Sequence, residues 1–249
     1  MNCISQDSFQ LAKPLIKYES VFFKDSAKIE LKFAQAGARI YYTLDNSTPT
    51  KESFLYKKSI VLKKQFTTIK AKVFCDGFLP SETVEYNFAK DGNKVKTVIT
   101  TLPNPKYPGT GDSSLFDNKG GIENISSNTW MGFDRDTVLI KIELAEKHII
   151  NEILLSFLQD QSSWVFLPRQ IQIEYFDDAT NSYRLSRKEE YFVEAAAPAG
   201  CVIRKITIPK PTIRSNKLKI TLATVNKIPD WHPAKAQHAW CFIDEIKVY

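Results

Sequence analysis

Apolar side chains recur at every second position in short runs along this chain, and that period constrains the fold more than any other feature. In IELKF, Ile29, Leu31 and Phe33 alternate with Glu30 and Lys32, and the next run points Ile40, Tyr42 and Leu44 the same way. TIKAKVF repeats the pattern with Ile69, Ala71 and Val73, and TVEYNF with Val84, Tyr86 and Phe88. Successive side chains of a strand point to opposite faces, so each run presents one apolar and one solvated face. AQAG, DNSTPT and DGFLPS punctuate the runs. Short strands at this spacing, parted by Gly, Pro, Asn and Asp, predict an all-β sandwich.

The stop after the run at 40–44 is a turn signal. Asp45 and Asn46 fold their side chains onto nearby backbone and tolerate left-handed conformations, and Pro49 has no donor with which to continue a central strand. A Pro- and Gly-rich stretch over 89–113 places a domain boundary near residue 90, giving domains 1–90 and 91–249. Alternation resumes with Val138, Ile140, Ile142 and Leu144, then Ile171, Ile173 and Tyr175, then Leu218, Ile220 and Leu222. INEILLSFL fits helix or strand by period alone, and its neighbours favour strand. The second half reads as another β-sandwich, of jelly-roll type.

The net charge of +6 is uneven: fourteen Lys and Arg face nine Asp and Glu over residues 1–90, against twenty and nineteen over the rest. The excess falls on alternate strand positions such as Lys70 and Lys72, which is how a solvated sheet face looks. Arg39 is the only arginine there, so nucleic acid is not an expected partner. The cysteines are Cys3, Cys75, Cys201 and Cys241, without a CxxC; Cys75 and Cys241 are expected as buried thiols. No run of apolar residues is long enough for a membrane span, and no apolar leader core stands at the start. An exported form of this chain would be a mature or trimmed form, or a fragment. Cys3 is open to two readings, an ordinary thiol or a lipid-attachment remnant.

RIYYTLDNSTPTKES followed by SIVLKKQFTTIKAKVFCDGFLPS resembles the C-terminal, fibronectin-III-associated module of chitobiases and β-hexosaminidases over residues 14–88, with Asn46 where that family has Gly. This implies an immunoglobulin-like module. SLFDNKGG, TWMGFDRDTVLIKIEL, SFLQDQSSWVFLPRQIQIEY and HAWCFIDEIKVY resemble a discoidin domain, the coagulation factor V/VIII type C domain, over 105–249. That implies a galactose-binding-like jelly roll. In the resembled bacterial glycosidases a separate barrel does the catalysis, and such barrels need about 250 residues. The resemblance therefore implies a non-catalytic accessory region of a chitobiase or β-hexosaminidase, periplasmic, cell-surface or secreted. Its partners would be a glycan and a glycosidase catalytic domain.

A glycosidase site needs two carboxylates roughly 5 to 9 Å apart. Asp177–Asp178 and Glu189–Glu190 read as polar turns or strand edges. Neighbours such as Asp244–Glu245 are expected on opposite strand faces. His148, His232 and His238 have no usual metal spacing, and no GxSxG, P-loop or HExxH occurs. The discoidin resemblance implies a structural calcium held by Asp117, in LFDNKGG, and Glu245, with Asn118 where Gly is usual. The alternative is a capped turn and a salt-bridged strand end. For a sugar, an aromatic platform with fixed polar groups is needed. LQDQSSWVFLPR offers Trp164 and Arg169, with Gln159 and Asp160. PDWHPAKAQHAW offers Trp231 and His232, with Lys235. Trp130 and Trp240, beside strands, are expected in the core. Two functions follow: a carbohydrate-binding accessory region, or a structural spacer with no ligand.

Overall fold

The computed structural model describes residues 9–209 and 213–249, so Cys3 lies outside it. Among the described residues there are seventeen strands and two short 3-10 turns. The chain divides into two compact units, Met1–Asp91 and Gly92–Tyr249.

The first unit has two sheets. One orders β1 (Leu15–Lys17), β3 (Ala27–Lys32) and β6 (Ile60–Leu62) as β1-β3-β6. The other orders β2 (Phe22–Phe23), β8 (Val84–Lys90), β7 (Phe66–Phe74), β4 (Arg39–Thr43) and β5 (Phe54–Leu55) as β2-β8-β7-β4-β5. Every β-pair is antiparallel except β2 with β8. The expected inward positions share a face: Ile40 pairs with Val73, Tyr42 with Ala71, and Val84 with Ala71. Ile29, Ile69, Ala71, Val73 and Phe88 are buried. Tyr41 is buried from the other face, with its ring edge-on to Phe74 at 5.5 Å. The turn forms as its residues dictate: Asp45 Oδ1 accepts from Ser47 N at 3.1 Å and from Ser47 Oγ at 2.6 Å, and Asn46 has φ 69°. Cys75 departs from expectation. It lies just past the end of β7 and is only half-buried, its Sγ 3.7 Å from Ala36 O.

The second unit is a sandwich of five and four strands. β14 (Ser182–Glu190), β13 (Gln170–Asp177), β16 (Ile213–Ala223), β11 (Thr137–Ile150) and β9 (Val95–Thr100) form one sheet in that order. β10 (Met131–Phe133), β17 (Cys241–Val248), β12 (Glu152–Gln159) and β15 (Gly200–Thr207) form the other. The core between them gathers the alternating residues named above, Val138, Ile140, Ile142, Leu144, Ile171, Ile173, Leu218, Ile220 and Leu222, against Ile153, Leu155, Phe157, Ile243 and Ile246. INEILLSFL is strand as expected, Ile150 ending β11 and Glu152 opening β12. The edge strand β14 is largely exposed and carries Arg184, Arg187, Lys188, Glu189 and Glu190, which blunts edge pairing.

β17 breaks the period. Ser156 faces Glu245 while Phe157 faces Ile243, so Asp244 is an extra residue in a β-bulge. Ile243 and Ile246 both reach the core, with two residues rather than one between them. The expectation that Asp244 and Glu245 point to opposite faces is thereby corrected. The bulge turns both away from the core, onto the outer face of the four-stranded sheet.

Candidate functional site

Two loops meet at one end of the second sandwich. The first runs from β12 through the turn Gln161–Ser163 to β13. Asp160 caps this turn, accepting from Ser163 N and from the Ser162 and Ser163 hydroxyls at 2.6 Å. Burial works against its charge, but these bonds outweigh it and hold its pKa below the usual value. The second loop, between β16 and β17, carries Trp231 and His232. Backbone bonds stitch the two together: Phe166 N donates to Trp240 O, and Trp240 N to Trp164 O, each at 2.8 Å.

Of the residues expected to bind, the structure brings Trp231 and His232 together. Their rings are 5.7 Å apart, and both lie against Phe166, at 6.3 and 5.9 Å. Trp231 remains 43% exposed. Both ring nitrogens of His232 bond to the scaffold. Its Nε2 lies 3.0 Å from Gln161 O, and its Nδ1 accepts from Ala234 N at 3.0 Å. A carbonyl only accepts, so the ring holds its proton on Nε2 and both nitrogens are used. Trp164, 39% exposed, closes the 3-10 turn with φ 65°, a left-handed conformation that a bulky residue adopts at a cost. Arg169 does not join this group. It is exposed and lines a separate hollow with Gln170, Glu190, Tyr191 and Phe192. Trp130 is buried, its indole N–H donating to Ile122 O, whereas Trp240 is only partly buried.

The turn after the 3-10 segment Asp112–Phe116, which carries Asp117, reaches β17 at a second place, through Gly121 to Asp244 and through Asn118 to Lys247, the partner of Glu245. Asn118 takes φ 61° there, a left-handed conformation that Asn tolerates. Gly121 N donates to Asp244 Oδ2 at 2.8 Å, and Gly120 passes so close that an added Cβ would sit 2.4 Å from that oxygen. Lys247, on the same strand face, donates to Glu245 Oε1 at 2.9 Å and to Asn118 Oδ1 at 2.7 Å. Asp244 Oδ1, Glu245 Oε2 and Ser156 Oγ are buried without a hydrogen-bond partner. Ser156 stands near enough to Asp244 to favour its charged form, yet outside hydrogen-bond geometry. Burial pushes Asp244 up to about 7 and Glu245 up to about 8; Lys247 opposes the rise of Glu245, and the nearby carboxylates, Asp117 among them, contribute to both. Cys201 is pushed up by burial and then by Asp244 and Glu123.

The other acidic pairs are engaged singly. Asp177 accepts from Arg184 and Asp178 from Lys147, while Glu189 pairs with Arg187 and Glu190 with Lys188. Among the described residues no helix is long and apolar enough to cross a membrane.

The family described as Fn3 associated matches residues 29–88, within the first unit. No curated protein matches the chain. Among solved structures, the chain is similar to the family 32 carbohydrate-binding module from Streptococcus pneumoniae EndoD, at 15% identity and TM-score 0.42, over 64% of this chain and 96% of that one. A CBM32 module from Clostridium perfringens in complex with GalNAc-β-1,3-galactose matches at 12% identity and TM-score 0.40, over 61% and 94%. A mutant GH29 fucosidase of Ruminococcus gnavus in complex with fucose matches at 13% and 0.39 over 61% of this chain. There the match spans only 24% of the fucosidase.

Sequence reasoning missed several residues. Phe166 is the ring beneath Trp231, and its place in an ordinary apolar run concealed it. Phe192 is 99% exposed beside a cleft of about 210 Å³ that Gln159, Gln161, Tyr191 and Arg204 also line. Its signal was the YFV run just before a stretch of Ala and Pro. Asp244 and Lys247 had a plainer signal: FIDEI places two polar residues between two core isoleucines where a regular strand has room for one.

Proposed function

We propose that the second unit binds a glycan weakly on its end loops, as a non-catalytic accessory region of a chitobiase- or β-hexosaminidase-like glycosidase acting outside the cytoplasm. The observation that carries this is the pair of part-exposed indoles, Trp231 and Trp164, on two loops stitched backbone to backbone. An indole face suits the apolar face of a pyranose, and a braced loop loses little entropy on binding. His232 positions Trp231 from beneath. The site is open and shallow, so affinity falls between roughly millimolar and tens of micromolar, about 4 to 6 kcal/mol.

A glycan array of β-N-acetylhexosaminides and galactosides tests this. Trp231→Ala is expected to lower affinity at least about tenfold while Tm moves by less than about 2 °C. Unchanged binding, or an unfolded domain, would make Trp231 a plug. The Fn3-associated match in the first unit supports a second reading for that half alone: a spacer that holds the binding unit away from its enzyme.

A further inference from the structure

The pocket under the 117–121 turn is where the discoidin resemblance asks for calcium, and its residues do not fit that ion. Calcium takes about six to eight oxygens at roughly 2.3 to 2.6 Å. Here Asp117 Oδ1 accepts from its own turn at Lys119 N, Asp244 Oδ2 is held by Gly121 N, and Glu245 Oε1 is held by Lys247. Of the buried side-chain oxygens in this pocket, three lack a hydrogen-bond partner, one each on Asp244, Glu245 and Ser156. Among the described residues no three His, Cys, Asp or Glu side chains gather so as to hold a metal ion. An ammonium already stands where the positive charge is needed, on a side chain only 1% exposed.

We propose that Lys247 is the resident cation of this pocket, bridging the turn at Asn118 to the last strand at Glu245 in place of a divalent ion. The bulge makes this workable. By turning Asp244 outward beside Glu245, it leaves one carboxyl for the loop backbone and the other for the lysine. A tethered cation cannot dissociate, so the seam stays closed when calcium is scarce.

The test is thermal melting of the full chain, wild type and Lys247→Met, each in chelator and in millimolar CaCl₂. Wild type is expected to melt at one temperature in both. Lys247→Met keeps the aliphatic stem but leaves Glu245 Oε1 and Asn118 Oδ1 without their donor, so at about pH 9, where the Glu245 carboxyl is ionised, its Tm should fall by roughly 10 °C in chelator. Calcium, now free to enter, should restore part of that loss, because a ligand of the folded state alone stabilises it. A wild-type Tm raised by calcium overturns the proposal, and so does a Lys247→Met protein as stable in chelator as the wild type. Should Lys247→Met not fold at all, calcium titration of the wild type by calorimetry decides: no binding heat supports the lysine, and saturable binding refutes it.

Discussion

At the scale of single residues, Trp164 separates a binding role from a packing role most sharply. Its left-handed backbone costs an L-residue about 1–2 kcal/mol, which glycine at the same turn end would avoid. If the indole serves a ligand, Trp164→Gly should leave Tm unchanged within about 2 °C, or raise it, while weakening glycan binding. A substantial fall in Tm would show that the indole packs the sandwich end. Asn46 makes the complementary case in the first unit, where the positive φ is met by a residue suited to it. Asn46→Gly should be close to neutral, and Asn46→Val should cost about 1–2 kcal/mol in urea unfolding, since a β-branched side chain resists φ 69°.

At the scale of elements, the bulge in β17 makes stability depend on pH. Asp244 and Glu245 lie under the 117–121 turn, facing Lys247 on their own strand, Asp117 across the seam and Ser156 on β12. Burial raises both pKa values, from 3.8 and 4.5 to about 7 and about 8. The folded state therefore holds more protons than the unfolded state between those limits. Stability drawn from these groups is full below their unfolded pKa values and is lost as pH rises through the folded ones. The second unit should melt several degrees lower at about pH 9 than at about pH 5. Asp244→Asn should flatten that slope, because an amide still accepts from Gly121 N and has no proton to lose. A Tm that rises between these pH values would contradict the burial of the pair.

At the scale of the whole molecule, the second unit holds its own core and all the loops proposed to bind. Residues 92–249 expressed alone should fold with an all-β circular dichroism spectrum and bind the same glycans with the affinity of the full chain. A fragment that folds but binds tenfold more weakly would give the first unit a share in the site. Alternating residues read from the sequence, such as Val138, Ile140, Ile142, Ile171, Ile173, Leu218, Ile220 and Leu222, form much of the second unit's core. That much of the fold was legible because a strand with one buried face must repeat every second residue.

Strand and turn chemistry act between near neighbours, so the sequence alone determined the all-β class, the turn at Asp45–Ser47 and the left-handed Asn46. Tertiary structure decided the rest through partners far apart in the chain. His232 reaches Gln161 across 71 residues and braces one loop on the other. Lys247 reaches Asn118 across 129 residues and becomes a buried cation. Arg169, five residues beyond Trp164, faces a different hollow because β13 has begun by Gln170. Local pattern sets which way a side chain points relative to its neighbours. What it meets there depends on which distant segment the sandwich lays over it.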